Sequence, residues 1–254
     1  MNTLQNKTIF ITGATAGFGL ACAKLFISHG AKVIATGRRK DRLESLKHEL
    51  GDNLYTLQLD VRDKKAIEKA VSSLPSDFAN IDILINNAGL AIGLDSYEKQ
   101  QLDDVEQMIE TNINGVLYCT HALLPNMIKR DSGHIVNVSS IAGTYPYPGG
   151  NVYGATKAFV TQLSLNLRAD LLGKNIRVTN IEPGMCATEF SSVRFRGDQA
   201  KAEAVYEGMN PLSADDIANT ILWTITQPPH VNINRVEVMP TTQAFSPFAV
   251  KRKN

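Results

Sequence analysis

Tyr153 and Lys157 stand four residues apart in Tyr153-Gly154-Ala155-Thr156-Lys157, and Ser140 lies thirteen residues before the tyrosine. On a helix, positions i and i+4 share a face about one turn apart. A free tyrosine has a pKa of about 10, too high for a base at neutral pH. A nearby ammonium favours the phenolate and lowers that value. The pair thus suits proton transfer to or from a carbonyl oxygen, with the Ser140 hydroxyl orienting that oxygen. Alone, Tyr-x3-Lys is common on ordinary helices. Its meaning depends on what surrounds it.

A second set of residues suits phosphate. Thr12-Gly13-Ala14-Thr15-Ala16-Gly17-Phe18-Gly19 joins a strand-like run to an amphipathic helical run. Glycines let the backbone turn sharply and approach a pyrophosphate closely. The N–H groups and dipole of the following helix face the phosphates. The spacing is G-x3-G-x-G rather than the general G-x-G-x-x-G. Where a NAD-binding fold carries an acid for the ribose 2′-OH, this chain has Gly37, 18 residues after Gly19, followed by Arg38 and Arg39. A guanidinium forks onto phosphate oxygens. The turn predicts NADP(H), with Arg38 as the main 2′-phosphate ligand and Arg39 a weaker candidate. A solvated basic turn is the plainer alternative.

The elements that position these groups alternate two periodicities. Strands are expected at 8–12, 31–36, 54–59, 81–85, 134–138, 177–181 and 235–239. Helices are expected at 18–29, 41–50, 64–74, 103–129, 152–172 and 214–226. Such alternation predicts an α/β fold, a doubly wound parallel seven-stranded sheet in a single domain spanning 1–254. Ligands bind beyond the carboxyl ends of such strands. Asp60-Val61 and Asn86-Asn87-Ala88-Gly89 belong to that edge. Residues 185–211 lack clear periodicity and read as a substrate-covering segment. The tail 241–254 is either disordered or docked on a partner subunit.

Composition removes other classes. The 254 residues carry 26 Lys plus Arg against 25 Asp plus Glu, which gives no electrostatic case for nucleic acid or an anionic membrane. Cys22, Cys119 and Cys186 are odd in number and form no CxxC pair, so neither a disulfide framework nor a metal site is expected. No signal peptide and no membrane-length apolar run is visible, and the chain reads as cytoplasmic.

Taken together, Thr12–Gly19, Asn86–Gly89, Asn112 in TNING, Ser139-Ser140, Tyr153–Lys157 and Pro183-Gly184 make the chain resemble the short-chain dehydrogenase/reductase family over nearly its whole length. The resemblance implies a Rossmann fold with strand order 3-2-1-4-5-6-7 and usually a homotetramer. It implies a catalytic tetrad of Asn112, Ser140, Tyr153 and Lys157. In the family the Asn supports a proton-relaying water, and the Lys also holds the nicotinamide ribose. It further implies cofactor contacts at Gly13, Thr15, Gly17, Phe18 and Gly19. Asp60 and Val61 would flank the adenine, and Asn87, Ala88 and Gly89 would line the cofactor. Pro183, Gly184 and Thr188 would lie along the nicotinamide. The thirteen-residue spacing to the tyrosine favours Ser140 over Ser139.

ATGRR, IEPG, TEFS, VRF and HVNIN are similar to the NADP-dependent 3-hydroxy acid dehydrogenases. That subfamily oxidises small 3-hydroxy acids such as serine, L-allo-threonine and 3-hydroxypropionate, and reduces semialdehydes such as malonic semialdehyde. Cys186-Ala187 stands in the loop after Pro183-Gly184 as a possible point of difference. A carboxylated substrate needs a cation, for which Arg194, in the segment with Arg196, is the candidate. Two other readings stay open. One is a broader carbonyl or 3-oxoacyl reductase; the other is a nucleotide-sensing protein without turnover.

Overall fold

The computed structural model describes residues 3–245. Its centre is one seven-stranded sheet, every pair parallel, in the order β3-β2-β1-β4-β5-β6-β7. The strands are β1 (Thr8–Ile11), β2 (Lys32–Gly37), β3 (Leu54–Gln58), β4 (Ile83–Asn86), β5 (Gly133–Val138), β6 (Ile176–Pro183) and β7 (Arg235–Val238). Strands β1 and β4 read as unbroken apolar or buried runs, as a sheet covered on both faces requires. Alternate residues serve opposite layers. Ile9, Ile11, Val33 and Ile85 join Cys22, Phe26, Ile217 and Ile221 in one core. Phe10, Ile34, Leu84 and Ile135 join Leu123 and Met127 in the other.

Helices α1 (Gly17–Ser28), α2 (Lys40–Leu50) and α9 (Ala214–Ile225) cover the first face, and α3 (Lys64–Ser72), α4 (Leu102–Ile109), α5 (Gly115–Arg130) and α6 (Asn151–Asp170) the other. Chain order reverses beside β1, where β2 lies on one side and β4 on the other. That switch point opens a crevice at the strand ends. No described helix is long and apolar enough to cross a membrane. The three cysteines are buried and unpaired, and burial pushes the Cys119 and Cys186 thiols up to about 12.

Three regions differ from the sequence expectation. The helix expected over 103–129 is two helices, α4 and α5, joined by a π-helical turn at Glu110–Asn114. The amide of Asn112 is bonded to the backbone of Leu90 and cannot turn away with an unbroken helix. The aperiodic stretch 185–211 contains two short helices, α7 (Glu189–Arg194) and α8 (Gln199–Ala204), each started by a side-chain cap, Thr188 and Asp198. Six residues are too few to display a period. Of the tail 241–254, residues 243–245 line the crevice, and 246–254 lie outside the described residues.

Candidate active site

The crevice is a cleft of about 1240 Å³, lined by residues from Gly13 in the first turn to Phe245 at the end. One small ligand occupies roughly 300–1,000 Å³, so this cleft has room for a large cofactor and a substrate together.

One end of the cleft is the β1–α1 turn. The N-cap of α1 is Ala16, whose methyl satisfies none of the first-turn N–H groups. Those donors stay available for an anion. A Cβ on Gly19 would collide with the Gly13 carbonyl oxygen and stand 2.6 Å from Asn87 Nδ2. The turn is braced from β4: Asn87 Nδ2 donates to the carbonyls of Thr12 (2.9 Å) and Gly13 (3.2 Å). The backbone N–H groups of Asn87 and Ala88 donate to Thr12 Oγ1. These closures leave backbone, not side chain, facing the cleft, which fits a pyrophosphate.

At the end of β2 the two arginines differ. Arg39 donates from Nε and Nη2 to Thr15 Oγ1 (3.1 and 2.9 Å) and from Nη1 to Glu189 Oε2 (2.9 Å). Arg42 donates to the other oxygen of Glu189 at 2.6 Å. The Arg38 side chain is exposed, lines the cleft and forms no ion pair among the described residues. A Cβ on Gly37 would press on Thr15 Cγ2 at 2.6 Å. Next along the edge, Asp60 accepts from Arg62 Nη2 at 2.7 Å, and that hydrogen bond holds its carboxyl below the usual range. Val61, Ala88 and Gly89 line the adjoining wall. Thr188 lies against the phosphate turn, 3.6 Å from where a Gly17 Cβ would stand.

Helix α6 carries Tyr153 and Lys157 into the cleft, as their spacing predicts. Lys157 Nζ donates to the Val138 carbonyl at 2.9 Å and stands 5.8 Å from the Tyr153 ring centroid. A Cβ on Gly89 would lie 3.2 Å from Lys157 Nζ and 3.3 Å from Asn112 Oδ1, so these groups converge. The Asn112 side chain is spent on position. Its Nδ2 donates to the Leu90 carbonyl (2.8 Å) and Thr156 Oγ1 (3.0 Å), and its Oδ1 accepts from Leu90 N (2.9 Å). The two serines separate. Ser139 Oγ donates to the Lys157 carbonyl at 2.7 Å and also meets Thr161, fixing β5 to α6. Ser140 Oγ accepts from Ala142 N at 3.1 Å, lies 3.5 Å from the Pro183 carbonyl and is close enough to Tyr153 to favour its phenolate. It retains capacity for a ligand.

Burial decides the protonation of this group. It pushes the Tyr153 phenol up to about 12, against the opposing effects of the Arg194 charge and the Ser140 hydroxyl. It brings Lys157 down to about 8. The expected lowering of the tyrosine by the lysine is therefore not what dominates without ligands. The Arg194 guanidinium is a cation that opposes this rise.

Arg194 lines the cleft beside Tyr153. Its guanidinium carbon is 5.2 Å from the Tyr153 ring centroid and 5.1 Å from that of Phe190. Nη2 donates to Tyr147 Oη at 3.2 Å, while Nε is buried with no hydrogen-bond partner. Arg196 points elsewhere and pairs with Asp104 at 2.5 Å. Cys186 is held by its carbonyl, which accepts from Tyr206 Oη at 2.6 Å.

Residues 7–199 match the family described as short chain dehydrogenase. The chain belongs to this family. It is 55% identical over 246 residues to the NADP-dependent 3-hydroxy acid dehydrogenase YdfG of Escherichia coli O6:H1 (strain CFT073), covering 96% of this chain and 99% of that protein. It is 54% identical over 250 residues to serine 3-dehydrogenase of Agrobacterium fabrum (strain C58), covering 98% of this chain and all of that protein. Among solved structures, the closed form of serine dehydrogenase complexed with NADP+ superposes with a TM-score of 0.96 at 55% identity, covering 97% of this chain and 100% of that one.

Some cleft residues escaped the sequence reading. Tyr145 and Tyr147 fall in the Pro- and Gly-punctuated spacer Tyr145–Gly150, whose two tyrosines before a catalytic helix were a usable signal. The ion pair of Arg42 with Glu189 carries no local signal, since the two meet across 147 positions of sequence.

Proposed function

We propose that this protein is an NADP(H)-dependent oxidoreductase of a small 3-hydroxy acid of the serine, allo-threonine or 3-hydroxypropionate type, or the corresponding semialdehyde in reverse. The observation that carries this reading is Arg194. A guanidinium with a buried, unpartnered donor beside the candidate acid/base suits a carboxylate that forks onto it. The relatives' names agree.

Gly13, Thr15, Gly17, Phe18, Gly19, Asn87, Ala88 and Gly89 hold the cofactor backbone. Arg38, supported by Arg39, takes the 2′-phosphate. Asp60 and Val61 flank the adenine, and Pro183, Gly184 and Thr188 flank the nicotinamide. When bound, the cofactor supplies or accepts the hydride at the substrate carbon. Tyr153 gives its phenolic proton to the carbonyl oxygen during reduction and takes it back, as phenolate, during oxidation. The Ser140 hydroxyl orients that oxygen. Lys157 holds the ribose and passes the proton onward. Asn112 fixes the π turn beside it, a kind of distortion that recurs at functional sites.

The chain acts as one Rossmann-type domain whose segment near 185–211 covers the substrate. It works in the cytoplasm and assembles as a homotetramer; exposed apolar side chains on α4 and α6, among them Leu102, Phe159 and Leu165, support self-association. Light scattering of the purified protein tests the assembly. The functional test is oxidation of serine, allo-threonine and 3-hydroxypropionate with NADP+ and NAD+, beside neutral alcohols and 3-hydroxyacyl thioesters. Turnover of the free acids with NADP+ is expected. A preference for thioesters or neutral alcohols replaces this reading with that of a broader carbonyl or 3-oxoacyl reductase. No turnover in any pair leaves the nucleotide-sensing alternative.

A further inference from the structure

The described residues after β7, as far as Phe245, turn back to the cleft. Gln243 N donates to the Pro240 carbonyl at 2.9 Å, turning the segment back over the end of β6. There Gln243 Oε1 accepts from Met185 N at 2.8 Å. The fit is close: a Cβ on Gly184 would collide with that oxygen and stand 3.2 Å from Met239 Cγ. The segment is thus tied to the strand end where Pro183 and Gly184 line the cleft. Two residues on, the Phe245 ring stacks on Tyr145 with centroids 4.9 Å apart and a tilt of 46°. Tyr145 is itself pinned, its hydroxyl donating to Glu237 Oε1 on β7 at 3.3 Å. Gln243, Phe245 and Tyr145 all line the same cleft as Tyr153 and Arg194.

We infer that this segment determines substrate size. Phe245 and Tyr145 form an apolar wall that limits the carbon chain accepted beyond the hydroxyl-bearing carbon, and Gln243 anchors that wall to the cleft. The inference rests on the proposed reading of the cleft as a hydroxy-acid site. Arg194 and Tyr147 hold one end of a short substrate. A fixed aromatic pair elsewhere in the wall excludes added methylenes by overlap. Phe245, though 56% exposed, has the Tyr145 ring as an aromatic partner and keeps a face for ligand.

The test is a chain-length profile with NADP+ for 3-hydroxy acids of three, four and six carbons. The readout is the ratio of kcat/KM for the six-carbon to the four-carbon acid, so a general change in activity cancels. One methylene in an apolar pocket changes discrimination by roughly 10–200-fold. Phe245→Ala is expected to raise the ratio at least about tenfold. An unaltered ratio in a Phe245→Ala variant with wild-type melting temperature overturns the assignment. Gln243→Ala is expected to move the ratio the same way, and no change there removes Gln243 from it. If the wild type oxidises none of the acids but reduces neutral aldehydes, the hydroxy-acid reading fails by itself. The same ratio is then read on aldehydes of graded length, and the wall stands or falls separately.

Discussion

The Arg194 guanidinium lies 5.2 Å from the ring centroid of Tyr153, and its Nε is buried without a partner. This places a fixed cation beside the one phenol in the cleft that α6 holds next to Lys157.

Arg194→Met keeps an apolar stem against Phe190 and removes the charge. A hydrogen bond to a charged group contributes about 1.5–3 kcal/mol. KM for 3-hydroxy acids is therefore expected to rise by about one to two orders of magnitude, with neutral alcohols changed only a few-fold. Steady-state kinetics on both classes checks this. Equal losses on both would remove Arg194 as the carboxylate ligand.

Cofactor choice can be reassigned at the end of β2. Arg38→Ala is expected to raise KM for NADP+ at least about tenfold and to leave NAD+ nearly unaffected. Arg39→Ala is expected to do less, because Thr15 and Glu189 already occupy that guanidinium. Adding Gly37→Asp to Arg38→Ala should move preference toward NAD+, and Thr15 must rotate to admit the new side chain. The two cofactors' kcat/KM values decide it. A larger loss from Arg39→Ala reverses the order of the two ligands.

The two directions should respond differently to pH. Burial pushes Tyr153 up to about 12, so the phenol is protonated at neutrality and ready to donate during reduction. Oxidation needs the phenolate, whose fraction rises about tenfold per pH unit below the pKa. Oxidative kcat/KM should climb from pH 7 to 9 while the reductive value does not. Tyr153→Phe should abolish both. An oxidative profile already flat at pH 7 would show that cofactor and substrate lower the phenol further than Arg194 and Ser140 do.

Stability should carry the mark of Lys157. Burial lowers its ammonium from 10.5 to about 8. Between those values the unfolded chain binds more protons than the folded one, so stability rises with pH across the window and falls as pH drops toward 8. Lys157→Met removes this titration. The wild-type ligand-free protein should gain on the variant, by an amount on the order of 3 kcal/mol, between pH 8 and 10.5. Calorimetric melting of both proteins checks it; a constant difference across the window is the contrary result.

The sequence alone determined the sheet. Short apolar strands alternating with amphipathic helices admit few parallel arrangements, and the strand order implied by the family resemblance is the one found. It also determined which face of α6 meets the cleft, because Tyr153 and Lys157 share a helical face by spacing alone. Local patterns carry that much because backbone geometry is periodic. Long-range relations are not periodic. Only the tertiary structure decided that Asn112 sits in a π turn held by Leu90, that Ser139 is spent on Lys157 and Thr161 while Ser140 is not, and that Arg194 rather than Arg196 faces Tyr153. It alone placed the Arg194 guanidinium beside the phenol, because that depends on distances which no spacing in sequence encodes.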